Sequence, residues 1–259
     1  MRIDGLVERP KSALDIAEIT AFPRQRQVMT MQCIGNWIGG PLVGNAEWGG
    51  TPFLNLLDEE VLLAWEMNGE QLPSTRLPRL ITPGHYGQKM PKWITHIELI
   101  DEVYLGYWES KPEGRDFKWS DDAIATVNSR IDAPISVWDD IKDPGNGGVT
   151  YSLQRLQGTV GQEYAIHGIA MAGERIVDLV EISTAGGATW SEAHILSRPE
   201  ANVWVSWAVA WQLPTSGRYE ILVRATDSAG VTQPRTDAGV DLYDGRTGWH
   251  SVPVNVATA

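Results

Sequence analysis

Cysteine is nearly absent from this sequence, since Cys33 is the single cysteine among 259 residues. One thiol excludes an internal disulfide, a cysteine-ligated iron–sulfur cluster and a c-type haem attached through a CxxCH motif. Cys33 lies in the segment MQCIGNWIGG, where an apolar, strand-like run breaks into glycines. From the residue alone, three interpretations stay open: a buried apolar filler, a nucleophile and a metal ligand.

Positive charge and long apolar runs are also scarce. The 33 Asp and Glu residues outnumber the 21 Lys and Arg residues, and the formal net charge of −12 argues against a general nucleic-acid-binding surface. No apolar stretch reaches the roughly 20 residues that a membrane-spanning helix needs. The opening MRIDGLVERPKS lacks the basic start and apolar run of a secretory leader. A cytoplasmic protein and a periplasmic or exported one whose leader has been removed would look the same, so the compartment stays open.

The first half mixes strand-like and helix-like segments. Three segments are strand-like: RIDGLVERP, RQVMTMQCIGN and VLLAWEMNGEQL. The last of these runs into an Asn68-Gly69 turn, which is typical of a hairpin. SALDIAEITAFP is typical of a short helix, with Ser12 and Asp15 at capping-box spacing, and TPFLNLLDEE is typical of a second helix. We predict an α+β domain with a mixed sheet.

The second half changes to short strands separated by turns. The alternating segment ERIVDLVEISTAGGATWSEAHI, with one slip before Leu179, surrounds a Gly186-Gly187 hairpin turn. Further strand-like segments follow: VWVSWAVAWQL, GRYEILVRATDSAGVTQP and WHSVPVNV. This pattern predicts an antiparallel, immunoglobulin-like β-sandwich. We place the α+β domain at residues 1–130 and the sandwich at residues 131–259.

Recognisable fragments follow one another through nearly the whole sequence. In chain order they are RIDGLVERP, MQCIGNWIGGPLVGNAEWGGTPFLNLL, LAWEMNGEQLP, PRLITPGHYGQKMPKWITHIELID, GYWES, VEISTAGGATWSEA, WVSWAVAW and YEILVRATDSAGVTQP. In this order they resemble the sulfite-oxidase family of molybdopterin-dependent oxidoreductases. The resemblance implies a mixed α/β molybdenum-cofactor domain, a dimerisation domain and a molybdenum-molybdopterin cofactor. Relative to the family pattern, an upstream segment and a segment between NLLDEE and VLLAWEMNG are missing.

The resemblance implies a role for Cys33. In the family, the cysteine of the CxGN motif supplies a thiolate to molybdenum, beside the two sulfurs of the pterin dithiolene. A soft sulfur donor, deprotonated by the metal that it binds, suits this role. The implied activity is two-electron oxygen-atom transfer between the metal centre and a small-molecule substrate.

A basic loop stands out in this acidic sequence. Four basic residues lie within fourteen positions around the Pro83-Gly84 turn: Arg79, His85, Lys89 and Lys92. Cations and the free N–H groups of a glycine loop are what a buried phosphate requires, although a solvated charged loop would look similar. The resemblance implies pterin contacts for Arg79, Lys89 and Lys92. We add Gly84 and His85 as candidates, and a substrate-side or a surface position for His85 is equally open.

Three further candidates follow from the resemblance. Asn36 belongs to the CxGN motif, whose neighbouring glycines let the backbone approach the metal. Trp37 lies where sulfite-oxidising members carry an arginine that holds the anionic substrate, which makes sulfite doubtful and favours a neutral or bulkier substrate. Tyr86 is a candidate for proton movement. The remaining histidines are interpreted as structural: His96, His167, His194 and His250.

An electron carrier and a second copy of the chain are the predicted partners. Because the sequence carries neither a haem motif nor a cluster motif, oxidative turnover requires an external electron carrier, a cytochrome or a quinone-linked protein. The resemblance implies a homodimer through the second half, where WVSWAVAW supplies either interface area or sandwich core. The alternative function is a cofactor-free structural or interaction subunit derived from this family.

Overall fold

The computed structural model describes residues 1–7, 10–53, 61–73, 78–110, 119–134, 154–235 and 245–258. Strands dominate these residues, and the single α-helix among them has only six residues. The described fold is therefore mostly β, and the expected balance of helix and strand in the first half is wrong. None of the described helices has the length and apolar character needed to cross a membrane.

The chain forms two compact units. The first contains Met1–Ile34 and Val43–Ala125, together with a short stretch that ends at Gly245. Of the described residues, the second contains Gly35–Leu42, 126–235 and 246–258. The chain therefore leaves the first unit just after Cys33 and returns to it eight residues later.

Antiparallel pairing builds the main sheet of the first unit. The elements of this unit are β1 (Arg2–Gly5), α1 (Ile16–Ala21), β2 (Gln25–Gln32), β3 (Val43–Pro52), β4 (Leu62–Met67), β5 (Glu70–Gln71), β6 (Arg79–Ile81) and β7 (His96–Leu99). The main sheet has the order β2-β3-β4-β5, and β6 pairs with β4. Parallel pairing is confined to the separate β1–β7 ribbon, so the predicted mixed sheet is wrong for these strands.

Local sequence explains the ends of several of these elements. Helix α1 begins after Asp15, whose side chain accepts from the Glu18 amide while Glu18 accepts from the Asp15 amide. The capping box is thus Asp15–Glu18, and the predicted Ser12–Asp15 box is wrong. Asn68 and Gly69 have φ values of 53° and 80°, which close the predicted hairpin between β4 and β5.

The second predicted helix of the first half does not begin where expected. Pro52 belongs to β3, where it pairs with Leu62 of β4. The amide of Phe53 donates to the carbonyl of Val61 at 2.7 Å and extends that pairing. The remainder of this predicted helix, residues 54–60, lies outside the described residues. Strands β3 and β4 are therefore direct antiparallel neighbours, and residues 53–61 connect them.

Two sheets build the second unit. Its strands are β8 (Asn128–Ala133), β9 (Gln154–Gly158), β10 (Glu163–Met171), β11 (Val177–Ser183), β12 (Ser191–Glu192), β13 (His194–Ile195), β14 (Val205–Gln212), β15 (Gly217–Asp227) and β16 (His250–Thr258). One sheet has the order β13-β14-β10-β8 and the other β12-β11-β15-β16-β9. The slip before Leu179 in the sequence pattern corresponds to a register shift of β11 against β15 between Val177 and Leu179.

The two sheets of the second unit enclose one shared apolar core. Val180 of β11 and Ile221 of β15 are fully buried in the same cluster as Ile166 of β10. Trp207, also fully buried, and Trp211, 9% exposed, fill this core from β14, so these residues of the WVSWAVAW segment belong to the core. The arrangement is a β-sandwich, and its described strands pair antiparallel except β9, which pairs parallel with β16, so the predicted antiparallel pairing is wrong for that strand. The immunoglobulin-like type of the sandwich stays a prediction.

Candidate functional site

Cys33 lies immediately after the last residue of β2, and its side chain is exposed. Its two neighbours, Gln32 and Ile34, are 3% and 1% exposed. The backbone is therefore anchored on both sides while the thiol points outward, and the interpretation of Cys33 as a buried filler is wrong. The position is compatible with both remaining interpretations, a nucleophile and a metal ligand.

Arg79 occupies an unusual position for a cation. Its guanidinium carbon lies 5.2 Å from the centre of the Trp48 ring, and its Nη2 donates to the sulfur of Met31 at 2.8 Å. Among the described residues it has no carboxylate partner, and its buried Nε has no hydrogen-bond partner. Burial lowers the pKa of Arg79 from its ordinary value. A half-buried positive charge of this kind is suited to an anionic ligand.

At the end of the basic loop, the chain lies beside Arg79 again. Lys92 forms an antiparallel bridge with Arg79, and its exposed ammonium lies 5.0 Å from the centre of the Trp93 ring. Neither cation has an ion-pair partner in the described part of the chain. The structure therefore brings two of the predicted phosphate-binding residues together.

Glycines shape the turn between these two cations. Gly84 has a φ of +77°, and its carbonyl accepts from the Ala125 amide at 2.7 Å. Gly87 lies against the end of β2, because an added Cβ there would lie 3.4 Å from the side chain of Met31 and 3.6 Å from the carbonyl of Gln32. The loop therefore runs beside the two residues that precede Cys33.

Lys89 differs from the other two predicted cofactor-binding cations. Its ammonium donates to Glu109 at 3.1 Å and lies 3.7 Å from Asp121. Gln88 also donates to Glu109, at 3.4 Å. Glu109 is 9% exposed, so the ion pair is largely shielded from water. Two carboxylates already balance the charge of Lys89, which leaves less of that charge for a phosphate than at Arg79.

The side chains of His85 and Tyr86, which lie between Arg79 and Lys89 in the sequence, are in different environments. Tyr86 is fully buried and packs against Gly245, where an added Cβ would lie 2.3 Å from the phenol oxygen. His85 is half-buried, and its Nδ1 donates to the carbonyl of Pro83 at 2.9 Å. The burial of Tyr86 argues for a packing role, and its predicted part in proton movement stays a prediction.

Asn36 and Trp37 belong to the second unit. Asn36 is 4% exposed, and its Oδ1 accepts from the Leu42 amide at 3.0 Å. Trp37 is half-buried, its carbonyl accepts from the Gly40 amide at 2.8 Å, and its buried Nε1 has no partner among the described residues. Two residues of chain separate Asn36 from Cys33.

Two supporting residues of this segment were not apparent from the sequence. The Nη1 of Arg130 donates to the carbonyl of Gly40 at 3.0 Å, and the ring of His250 lies against Gly39. Burial, followed by the nearby charge of Arg130, lowers the pKa of His250 to about 3, so the imidazole is neutral. His250 was expected to be structural, whereas Arg130 carried no sequence signal, because its partner lies 90 positions away.

A second group of possible metal ligands lies on the β1–β7 ribbon. Asp4, His96 and Glu98 bring one ligand atom each within 4.8 Å of one another. Arg2 forms an ion pair with Asp4 at 2.9 Å, and its Nη2 lies 3.0 Å from the His96 ring. A guanidinium therefore already neutralises this exposed group, and we assign no metal to it.

Cys33 and the cations of the basic loop fit a molybdenum-molybdopterin group. Cys33 offers a soft, accessible sulfur, and Arg79 with Lys92 offers positive charge for a phosphate. Buried polar atoms without a partner also occur in this unit, as expected where a polar ligand is to bind. They include Oε1 of Gln32, Nε1 of Trp48 and Nε of Arg79.

Two family profiles match the chain. Residues 1–60 and 51–108 match the "Oxidoreductase molybdopterin binding domain", and residues 151–257 match the "Mo-co oxidoreductase dimerisation domain". The described residues of the first match contain Cys33 and the basic loop. The second match covers β9 to β15 and most of β16.

Individual relatives agree with the profiles. Mitochondrial sulfite oxidase of Mus musculus is 30% identical over 230 residues, which cover 82% of this chain and 40% of that protein. Sulfite oxidase of Arabidopsis thaliana is 24% identical over 332 aligned residues, covering 96% of this chain and 80% of that protein. The chain thus spans less than half of the mouse protein.

A solved structure has the same fold. The sulfane dehydrogenase SoxCD from Paracoccus pantotrophus superposes with a TM-score of 0.77 at 22% sequence identity, covering 100% of this chain and 78% of that one. This likeness shows the fold, and the two profiles with the mouse sulfite oxidase show the family: the chain belongs to the sulfite-oxidase family of molybdopterin-dependent oxidoreductases.

Proposed function

We propose that this chain is a molybdopterin-dependent oxidoreductase in which Cys33 holds the molybdenum. One observation carries the proposal: the exposed Cys33 follows a strand whose end lies beside Gly87 and beside a cation, Arg79, that has no carboxylate partner among the described residues. A cysteine at the end of a strand that contacts an unbalanced positive charge suits a soft metal bound to a phosphate-bearing chelate. When bound, the cofactor supplies two-electron oxygen-atom transfer.

The chain's own residues have separate tasks in this proposal. Arg79 and Lys92 hold the cofactor phosphate. Lys89 contributes mainly through its ion pair with Glu109, which fixes the course of the loop. Cys33 stays deprotonated in contact with the metal.

Trp37 determines the substrate class in this proposal. Sulfite-oxidising relatives are expected to carry an arginine at this place, and an indole has no positive charge with which to hold an anion. An aromatic side chain instead favours contact with an apolar or neutral surface. The proposed substrate is a neutral or bulkier small molecule that donates or accepts an oxygen atom, and sulfite itself is disfavoured.

Electrons have to leave the chain during oxidative turnover. With one cysteine and no CxxCH motif, this sequence holds neither a c-type haem nor a cysteine-ligated iron–sulfur cluster. We therefore propose an external carrier, either a cytochrome or a quinone-linked protein. We also propose a homodimer through the second unit, supported by the match to a dimerisation domain.

The alternative function, a cofactor-free structural or interaction subunit, is not favoured. A subunit without cofactor would gain nothing from a half-buried cation without a carboxylate partner, since that charge is costly to desolvate. The deciding experiment measures molybdenum and oxidised pterin released from protein produced in a host that makes the cofactor. About one molybdenum per chain supports the enzyme, and fewer than about one per ten chains overturns it.

A further inference from the structure

Residues 35–42, which begin two positions after Cys33, belong to the second unit, although the residues on both sides of them belong to the first. The opening stretch of the first unit ends at Ile34, and the second unit contains Gly35–Leu42. We name Gly35–Leu42 the cysteine-flanking loop. It carries two candidate site residues, Asn36 and Trp37. The contacts that hold this loop therefore determine how those residues are presented.

Arg130 of β8 holds the loop by its backbone. The Nη1 of Arg130 donates to the carbonyl of Gly40 at 3.0 Å, while its Nε donates to Asp132 at 2.6 Å. The Arg130 side chain is 17% exposed, so both bonds are shielded from water. Asp132 thus fixes the direction of the guanidinium, and a charge-assisted hydrogen bond fixes the carbonyl. Asn36 also donates to this carbonyl, at 3.5 Å.

His250 of β16 supports the loop from a second side. Gly39 has a φ of +73°, and an added Cβ there would lie 2.1 Å from the ring of His250. The ring is itself fixed, because its Nδ1 accepts from the Ile131 amide at 2.9 Å and the residue is 1% exposed. A glycine is therefore required at this contact, both for its backbone conformation and for its lack of a side chain.

The loop needs such support because of its own composition. Three of its eight residues are glycine, and glycine backbone has the most conformational freedom to lose when a loop is ordered. Bonds within the loop, such as that from the Leu42 amide to Asn36, restrict its conformation in part, and contacts from outside the loop add to them. In this chain the outside contacts come from β8 and β16, more than 80 positions along the sequence.

We propose that Arg130 and His250 are positioning residues for the cysteine-flanking loop, which follows the proposed molybdenum ligand in the sequence. Arg130 fixes the carbonyl of Gly40 and His250 supports Gly39, so that Asn36 and Trp37 are held in one arrangement after Cys33. Neither positioning residue is assigned a contact with the cofactor. This inference rests on the proposed function.

The first test uses cofactor-free protein and measures amide hydrogen exchange in a peptide that covers residues 33–42. In Arg130→Met, exchange in this peptide should rise by about tenfold, the change expected for losing a charge-assisted hydrogen bond. Arg130→Lys keeps a donor and should restore most of the protection. The matched control is Arg224→Met, which removes an ion pair with Glu181 from a side chain that is 25% exposed. The control should leave the peptide unchanged.

A second test uses protein that contains molybdenum. The charge-transfer absorption of a thiolate bound to the metal reports the orientation of that bond. In Arg130→Met this absorption should change in energy or intensity at equal metal content, and Arg130→Lys should restore it. Gly39→Ala should produce the same change, because the added methyl displaces the loop from the ring of His250.

The exchange and absorption results either support or overturn the positioning proposal. Exchange in Arg130→Met within about twofold of the wild-type rate, or an equal rise in Arg224→Met, overturns the positioning proposal. An unchanged absorption in both Arg130→Met and Gly39→Ala also overturns it. If the exchange result is as expected but no variant or wild-type protein contains molybdenum, the proposed function fails while the control of the loop by Arg130 is supported.

Discussion

The guanidinium of Arg79 lies 5.2 Å from the centre of the Trp48 ring and has no carboxylate partner among the described residues. In the free protein this contact compensates only part of the cost of burying a charge. The pKa of Arg79 is lowered by that burial. The arrangement is expected to become favourable once an anion is bound beside it.

Replacing Arg79 by methionine should separate cofactor binding from stability. The variant should retain the pterin about 10- to 100-fold less well, because a charged hydrogen-bond partner of the phosphate is lost. The cofactor-free protein should be no less stable than the wild type in urea unfolding, because a poorly compensated buried charge has been removed. The control is Arg26→Met. Arg26 belongs to β2, and this change removes its exposed ion pair with Glu47.

Pterin retention equal to that of the wild type in Arg79→Met would contradict the role of Arg79. Equal losses in Arg79→Met and Arg26→Met would show that only total charge matters.

Replacing Cys33 by serine should remove turnover and leave the fold intact. The thiol is exposed, so the change creates neither a cavity nor a buried unpaired group. Serine is a harder and less acidic donor than cysteine, which makes it a poor ligand for this metal. Circular dichroism and unfolding midpoints check the fold, and activity at matched pterin content checks the role. Retained turnover would remove Cys33 from the mechanism.

The burial of His250 predicts a pH dependence of stability. Its pKa falls from 6.5 to about 3 on folding, so between these values the unfolded chain binds a proton that the folded chain does not. Stability from this group is fully present above pH 6.5 and is lost as the pH falls toward 3, by up to about 1.4 kcal/mol per pH unit.

The comparison variant is His250→Asn, which keeps a side-chain acceptor near the Ile131 amide but cannot be protonated. The stability advantage of the wild type over this variant should shrink by about 2 kcal/mol between pH 7.5 and pH 5. Urea unfolding at both pH values measures the difference. An advantage that stays constant with pH would contradict a buried neutral imidazole.

Replacing Trp37 by arginine should move the substrate preference toward anions. A guanidinium supplies the charge and the forked donors that an oxyanion requires, and the KM for sulfite should fall by about tenfold or more. Turnover with the preferred neutral substrate should fall at the same time. Steady-state kinetics with both substrate classes decides the point, and an unchanged KM for sulfite would argue against Trp37 as the determinant.

The proposed homodimer has a direct test. Light scattering at micromolar concentration should give about twice the mass of one chain. Because Trp207 and Trp211 fill the sandwich core, the interface has to use other residues of the second unit. A monomeric mass under these conditions would contradict the dimer.

Features of the fold that depend only on neighbouring residues could be predicted from the sequence. The Asn68-Gly69 hairpin was predictable because those residue types readily adopt the positive φ values that such a turn needs. The register shift near Leu179 was visible as a slip in the alternation of apolar residues. The exposed position of Cys33 was not predictable, because strand alternation stops at that residue.

Long-range contacts overrode several local patterns. Ser12 and Asp15 have the same spacing as Asp15 and Glu18, and the helix begins at the second pair, which places Ile19 in a buried cluster with Trp65. Thr51 belongs to β3 rather than to a helix, because it pairs with Leu63 and its hydroxyl donates to Ile19.

Site contacts across long stretches of sequence were equally hidden. The partners of Lys89 lie 20 and 32 positions away, at Glu109 and Asp121, and nothing in the local sequence around Lys89 indicates that its charge is balanced. The bond from Arg130 to Gly40 spans 90 positions. Such pairs depend on the folded path of the chain and leave no local pattern.

X-ray absorption at the molybdenum edge tests the central claim most directly. With the cofactor bound, the wild-type protein should show about three sulfur neighbours of molybdenum, two from the chelate and one from Cys33, and Cys33→Ser should show about two. The same number of sulfur neighbours in both proteins would contradict the assignment of Cys33 as the protein ligand.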